Sequence, residues 1–415
     1  MTRRLLGLGL LLSLASVAGC KTAEASPAPS DPFVVHEWGT FTSFQGANGL
    51  SVEGLQHETE ALPGFVHSRV DARTSPLSIY GDESRDVPVR HCTGKMETPV
   101  IYFHSASARR VKVHVGFGGL LTQWYPAASS ATPAFTGREQ HDLGAVAQSS
   151  LDWDLDIVPR TSALPAIPHV EARSDWQKAR AVDAAYVRST GSTEADQYVF
   201  YRGLMRSVTQ PRVMPRNDDE VTIVNASPNA IAAMFVLDMK KTKGRFVSAF
   251  ATDPGSRNLS LAGVPERAKA EVVAEVERAM TSALVSQGLY ADEARAMVST
   301  WSETWFSAEG NRVLYLVPRP VTDATLPITI SPRPDELVRV MVGRVEYLTP
   351  TKDAEVSAAM LAISDPDVKR RDAGFARLAK LGRFVEPAVR SIAQRSQDPA
   401  MLTASTTVLA RLATP

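Results

Sequence analysis

Between Leu151 and Val158 the chain alternates apolar and acidic residues one for one: Trp153, Leu155 and Ile157 fall on one parity, Asp152, Asp154 and Asp156 on the other. A period of two is the mark of a strand with one buried and one wet face. Similar short, β-rich runs recur from Phe33 to about Ser260, at Val100–His104, Val111–Val115, Gln197–Tyr201, Val221–Val224 and Met234–Asp238. The first two are joined by a polar loop and read as a hairpin. Many short strands punctuated by Pro and Gly predict a mainly antiparallel sandwich or barrel-like domain. The period then changes. Residues 263–307 read as a two-helix insertion, with Pro265 suited to a first helical turn and Gly288 just past a helix end. Val313–Val317 and Leu337–Tyr347 return to strand, and from Lys352 onward four short helices follow. The expected class is α+β: a β-rich domain over 33–350 with its helical insertion, then a small all-α domain over 352–415.

The first nineteen residues read differently. Arg3 and Arg4 precede an apolar run, Leu5 to Leu14, and a small-residue stretch ending Val17-Ala18-Gly19-Cys20. A charged, an apolar and a small-residue region in that order make an export signal, and the run is shorter than the roughly 20 residues a bilayer span requires. The final tetrad resembles the lipobox of bacterial lipoproteins. The resemblance implies cleavage before Cys20 and lipid attached to its sulfur, giving membrane attachment at about 0.8 kcal/mol per buried CH₂. Residues 20–32, rich in Ala, Ser and Pro, would be the tether. Lys21, where an Asp would retain the protein at the inner membrane, leans towards the outer membrane. The expected location is the cell envelope.

Forty-five basic and forty-five acidic residues leave no net charge, and no basic block stands out, which argues against a nucleic-acid partner. If Cys20 carries lipid, the other cysteine, Cys92, has no partner in the chain, so no internal disulfide is expected. Cys92 reads as a small buried apolar residue or, beside His91, a reactive thiol.

Five phrases resemble an uncharacterised family of exported proteins from bacteria such as planctomycetes and myxobacteria. They are His36-Glu-Trp-Gly-Thr-Phe-Thr42, Met96-Glu-Thr-Pro-Val-Ile-Tyr-Phe-His104, Thr122-Gln-Trp-Tyr-Pro126, Phe200-Tyr-Arg-Gly203 and Val342-Gly-Arg-Val-Glu346. The likeness covers roughly residues 33–350 and implies export and one shared domain, without a mechanism. The stretch Arg377–Gly382 followed by Val385–Val389 resembles a HEAT-type helical pair, and implies a tail that docks on the main domain or offers a face to another envelope protein.

All eight histidines lie between His36 and His169. Imidazole is a common metal ligand and acts as acid or base near neutrality. His36, His91 and His104, with Glu37 and Glu97, form the candidate cluster, a donor set suited to a divalent metal such as Zn²⁺. His36 and Glu97 are expected to approach each other at one rim with His104 nearby. Against a metal stand the absence of His-Glu-x-x-His and the alternation of a strand, which sends His36 and Glu37 to opposite faces. The Asp152–Asp156 row could bind Ca²⁺ or simply be a wet face, and Met297, Trp301 and Trp305 could be a glycan platform or core. The Trp124-Tyr125-Pro126 stretch is a further ligand-contact candidate. No nucleophile elbow, phosphate loop or Cys-x-x-Cys is present. Two functions remain: an envelope lipoprotein with a binding or scaffold role, or a metal-dependent hydrolase-like enzyme.

The anchor is directly testable. Replacing Cys20 by Ser is expected to release the protein from the membrane fraction and abolish labelling with acyl chains; a variant that stays in the membrane and stays labelled would remove the lipobox reading.

Overall fold

The computed structural model describes residues 31–53, 62–69, 91–134, 143–146, 148–206, 210–380 and 385–412. The signal, Cys20 and most of the tether lie outside them. Strand β1 (Val34–Gln45) is central. On one side it pairs in parallel, over all twelve residues, with β19 (Glu336–Tyr347). On the other it pairs antiparallel with β3 (Gly94–His104), followed by β10 (Val199–Met205), β5 (Gly119–Tyr125) and β2 (His67–Ser68). Beyond β19 come β17 (Gly310–Leu316), β13 (Ile231–Met239), β14 (Lys243–Thr252) and β16 (Arg267–Ala268), closing a ten-stranded sheet. The five phrases singled out in the sequence occupy five neighbouring strands, in the order β19, β1, β3, β10, β5.

Two smaller sheets cover one face. The first joins β18 (Ile328–Ser331), β4 (Arg109–Phe117), β7 (Ser149–Val158), β8 (Tyr186–Ser189) and β9 (Ala195–Asp196), with β6 (Ser130–Thr132) beside β7. The second holds β11 (Arg212–Pro215), β12 (Glu220–Asn225) and β15 (Gly255–Ser260). Their apolar positions, among them Val113, Trp153, Leu155 and Ile223, pack with Val35, Phe41, Ile101 and Val313 of the large sheet. This is the expected sandwich, and the class is α+β. The opposite face carries helices: α1 (Asp175–Ala179), α2 (Lys269–Ser286) and α3 (Ala291–Ser302), which continues into a π-helical turn at Glu303–Ser307. The helical insertion supplies Val276, Met280, Met297, Trp301 and Trp305 to a second core against Trp38, Tyr102, Phe200 and Val340. The Met297–Trp301–Trp305 stripe is therefore core. A short helix, α4 (Arg319–Thr325), precedes β18.

The tail forms α5 (Pro350–Ile363), α6 (Val368–Ala379), α7 (Val385–Arg395) and α8 (Pro399–Leu412). Its apolar cluster includes Phe44, Val52 and Leu348 from outside the tail.

The central strands are irregular at one level. The β1–β3 register shifts between Trp38 and Thr40, the β10–β3 register between Phe200 and Gly203, and the β10–β5 register between Arg202 and Gly203. Thr98 sits there at φ +48°, a region few residues other than glycine adopt. Gly39 is required by space: a Cβ there would lie 2.8 Å from the Cα of Pro99, a backbone atom that cannot swing aside. Gly39→Ala is thus expected to destabilise the full chain by roughly 1–3 kcal/mol, the usual cost of overpacking, read as a lowered urea midpoint; an unchanged midpoint would show that the bulge is slack.

Candidate functional site

The five residues of the sequence-derived cluster do not form one site. His36 and His104 meet; Glu37, Glu97 and His91 go elsewhere, for reasons of strand geometry. Glu37 points to the sandwich face, as alternation requires. There it is fully buried, with its Oε2 2.5 Å from the Nε of Arg339, its register partner on β19, and with the Tyr201 hydroxyl donating to its Oε1. Arg339 Nη1 also donates to Asp323 at 2.8 Å. Burial opposes the Arg339 charge, but the Glu37 carboxylate outweighs it and raises the guanidinium pKa further; burial and the same carboxylate push the Tyr201 phenol up. Glu37 is one pole of a buried ion-pair network within the sandwich.

Glu97 lies opposite Thr40, while His36 lies opposite Tyr102. The two share a face but stand four residues apart along β1, about 13 Å at strand rise, so the expected approach of His36 and Glu97 does not occur. Glu97 instead binds Lys95 at 2.7 Å and accepts from Thr42 at 2.5 Å. Burial resists its ionisation, yet the Lys95 ammonium and the Arg344 guanidinium prevail and hold its carboxyl well below the ordinary 4.5. His91 is exposed at φ +61° in the turn before β3, at the opposite end of that strand from His104. Buried Cys92 follows it, its thiol pushed up to about 11 chiefly by burial, which removes the reactive-thiol reading.

His36 and His104 are diagonal neighbours on adjacent strands, since Val34 pairs with His104 and His36 with Tyr102. Their rings lie 5.0 Å apart, and both face the helix layer. Glu293, in the first turn of α3, comes down between them: its Oε2 is 2.6 Å from His36 Nδ1 and its Oε1 is 3.0 Å from His104 Nε2. The Tyr290 backbone N–H donates to the same carboxylate at 2.8 Å, fixing the side chain against its own helix start. Burial works against ionisation of Glu293, but the hydrogen bonds from His104 and His36 hold its carboxyl below the ordinary value. His36 is 1% exposed, and its Nε2 has no hydrogen-bond partner among the described residues. The Tyr290 ring closes over both imidazoles, at 4.4 and 4.8 Å. Sequence reasoning missed Glu293. It stands 189 residues from His104, and its only local signal is that of an ordinary helix start.

The other histidines disperse. His67 pairs with Glu194 at 2.8 Å and stacks near Trp124, His114 pairs with Asp152 at 2.7 Å, His169 is exposed, and His57 and His141 lie outside the described residues. The acidic row on β7 is a wet face with a basic side chain beside each member: the His114 imidazole for Asp152, Lys112 for Asp154 and Arg188 for Asp156. Trp124 is half-buried against the sandwich core, and Tyr125 is in the helix-side core.

Over the irregular level of the sheet lies a cleft of about 70 Å³. A single buried water needs roughly 10–15 Å³, so the cleft has room for a few waters or for one small group of a ligand. Glu97, Thr98, Phe200 and Arg202 form its floor, Trp176 of α1 one wall, and Thr300, Trp301 and Thr304 the other. Trp301 is 5% exposed, and its indole Nε1 has no hydrogen-bond partner among the described residues. Neither a protein-family model nor a curated protein sequence matches the chain.

The Glu97 network sets an acid limit. A carboxyl whose folded pKa is depressed contributes stability above its unfolded value, and that contribution drains away as pH falls below about 4.5 towards the folded pKa. Between pH 4.5 and 3 the wild-type chain is expected to lose more unfolding free energy than Glu97→Gln, which should already be weaker at pH 7 by roughly 3–5 kcal/mol, because Lys95 is left without its carboxylate. Parallel acid curves for the two proteins would contradict this.

Proposed function

We propose that the chain is a lipid-anchored protein of the bacterial cell envelope with a binding role, and that it takes a small ligand in the cleft between the central sheet and helices α1 and α3. The observation that carries this reading is the unused donor of Trp301. A buried indole N–H usually finds an acceptor, and leaving one unpaired costs about 1–3 kcal/mol. Trp301 lines the cleft, and a ligand oxygen that reached its indole would supply that acceptor; Trp38 and Trp305 hold unpaired indoles of the same kind away from the cleft.

Two further features support it. Backbone strain of the kind held at Thr98 is concentrated at binding sites and persists only where surrounding structure enforces it. The lining combines aromatic surface (Trp176, Tyr198, Phe200) with hydroxyls (Ser174, Thr300, Thr304), which suits a compact molecule having one apolar face and several hydrogen-bonding groups. The tail leaves Leu361, Val368 and Leu402 exposed, one on each of three helices, apolar side chains that an envelope partner could cover.

A thermal-shift panel of monosaccharides, free amino acids and nucleosides on the detergent-extracted full chain tests the cleft. At least one class should raise Tm, and Trp301→Phe, which keeps an aromatic ring of smaller size and removes the donor, should weaken that response by about tenfold, the effect of one lost hydrogen bond of ~1.4 kcal/mol. A panel without response, or equal responses from both proteins, defeats the proposal.

A further inference from the structure

Outside the cleft, one cluster has the composition and geometry of a metal site. Two imidazoles and one carboxylate reach the same point from three separate elements: His36 from the start of β1, His104 from the end of β3 and Glu293 from the first turn of α3. Their nearest donor atoms all lie within 4.8 Å of one another. Among the described residues no other group of three His, Cys, Asp or Glu side chains converges in this way.

We propose that His36, His104 and Glu293 bind one divalent transition-metal ion, of which Zn²⁺ is the best match. Two nitrogens and one carboxylate oxygen are a recurring protein donor set for Zn²⁺, with bonds near 2.0–2.2 Å and a fourth position left for water. Bonds of that length around a tetrahedral centre place ligand atoms about 3.3–3.5 Å apart. The hydrogen-bonded separations here, 2.6 and 3.0 Å, are a few tenths of an ångström tighter. A small outward turn of Glu293 therefore converts a proton-bridged contact into a metal-bridged one. Imidazole favours Zn²⁺, Cu²⁺, Ni²⁺ or Fe²⁺ over Mg²⁺ and Ca²⁺, which prefer all-oxygen shells.

The nitrogen of His36 turned to Glu293 is Nδ1 and that of His104 is Nε2, so an ion would take those two nitrogens and a Glu293 oxygen. The surroundings suit an ion. Tyr290 covers the two rings on one side, while the His104 side chain keeps 14% of its surface open, so an ion and its water have a way in. The capping hydrogen bond from the Tyr290 N–H holds the carboxylate in place before an ion arrives.

Position gives the ion a consequence. Glu293 and Trp301 lie on the same helix, eight residues or about 12 Å apart. An ion bridging β1, β3 and α3 would fix the helix that forms one wall of the cleft. The inference stands whether or not the cleft binds a ligand.

The experiment uses the detergent-extracted full chain, stripped with a chelator and then titrated with Zn²⁺ against a chromophoric competitor, with bound zinc counted by elemental analysis. One equivalent is expected. His104→Ala removes a ligand at the partly open position. Glu293→Gln keeps an oxygen for the Tyr290 N–H and removes the charge. Each is expected to weaken binding by at least roughly tenfold to a hundredfold, with the metal-free melting curve little changed for Glu293→Gln. Nitrogen-15 spectra of the histidine side chains in the unsubstituted protein give a readout independent of any variant: Zn²⁺ should shift two imidazoles and leave the rest in place. Absence of stoichiometric uptake, uptake unaltered in both variants, or shifts confined to other histidines would overturn the assignment.

Discussion

The parallel pairing of β1 with β19 is the contact on which the rest of the architecture depends. It joins Thr40 to Val342 across 302 residues of sequence, so nearly the whole two-sided domain is a loop closed by this ladder. Closing a flexible loop of that length costs about 5 kcal/mol beyond a constant, because the entropy grows only with the logarithm of length. Each fully buried apolar side chain contributes about 1.5–3 kcal/mol. Val35, Trp38, Phe41, Met341, Val342 and Val345 on the two strands are all buried, so burial outweighs closure. A parallel pair also needs a long crossover, and here the crossover is the remainder of the domain.

With β1 fixed between β19 and β3, alternation decides which residues can meet. His36, Trp38, Thr40 and Thr42 face the helices, whereas Val35, Glu37 and Phe41 face the sandwich, so β1 keeps its parity; the extra residue at Thr98–Pro99 changes it on β3, where Tyr102 and Val100 but then Glu97 face the helices. The helix-facing side is thereby divided along its length. The His36–His104–Glu293 cluster lies at one end, an aromatic belt of Trp38, Tyr102 and Phe200 in the middle, and Lys95, Glu97, Arg344 and Glu346 beyond the bulges. Such buried charges are a weak source of stability, but they specify register well. A one-residue slip of β1 would send His36 away from Glu293 and place Glu37 in the helix core, leaving charges unpaired on both faces.

This explains what could be read from the sequence. The period of two in Leu151–Val158 placed Trp153, Leu155 and Ile157 inside and the three aspartates outside, because a one-sided strand writes its burial into its residue order. The change of period after Ser260 marked the helical layer for the same reason. Strands buried on both faces write no such alternation. In β1 and β3 almost every position is buried, so nothing local distinguishes the face of His36 from that of Glu37 except parity itself, and parity fails at a bulge. The crowding of histidines into the first part of the chain drew attention to His36 and His104, yet most of the others have unrelated partners or face solvent. Glu293 was invisible because its partners are set by layer packing over a separation that no short-range pattern spans.

The choice of Glu97 over Glu293 as the partner of His36 shows the limit in physical terms. Both carboxylates are buried on the helix-facing side, and both are held ionised by neighbouring donors. What separates them is distance along β1. A register of four residues removes Glu97 from the histidines and delivers it to Lys95 and Thr42, while the capped start of α3 brings Glu293 down onto His36 and His104. Because the same helix then runs on to the cleft, the histidine cluster and Trp301 are linked through one rigid rod.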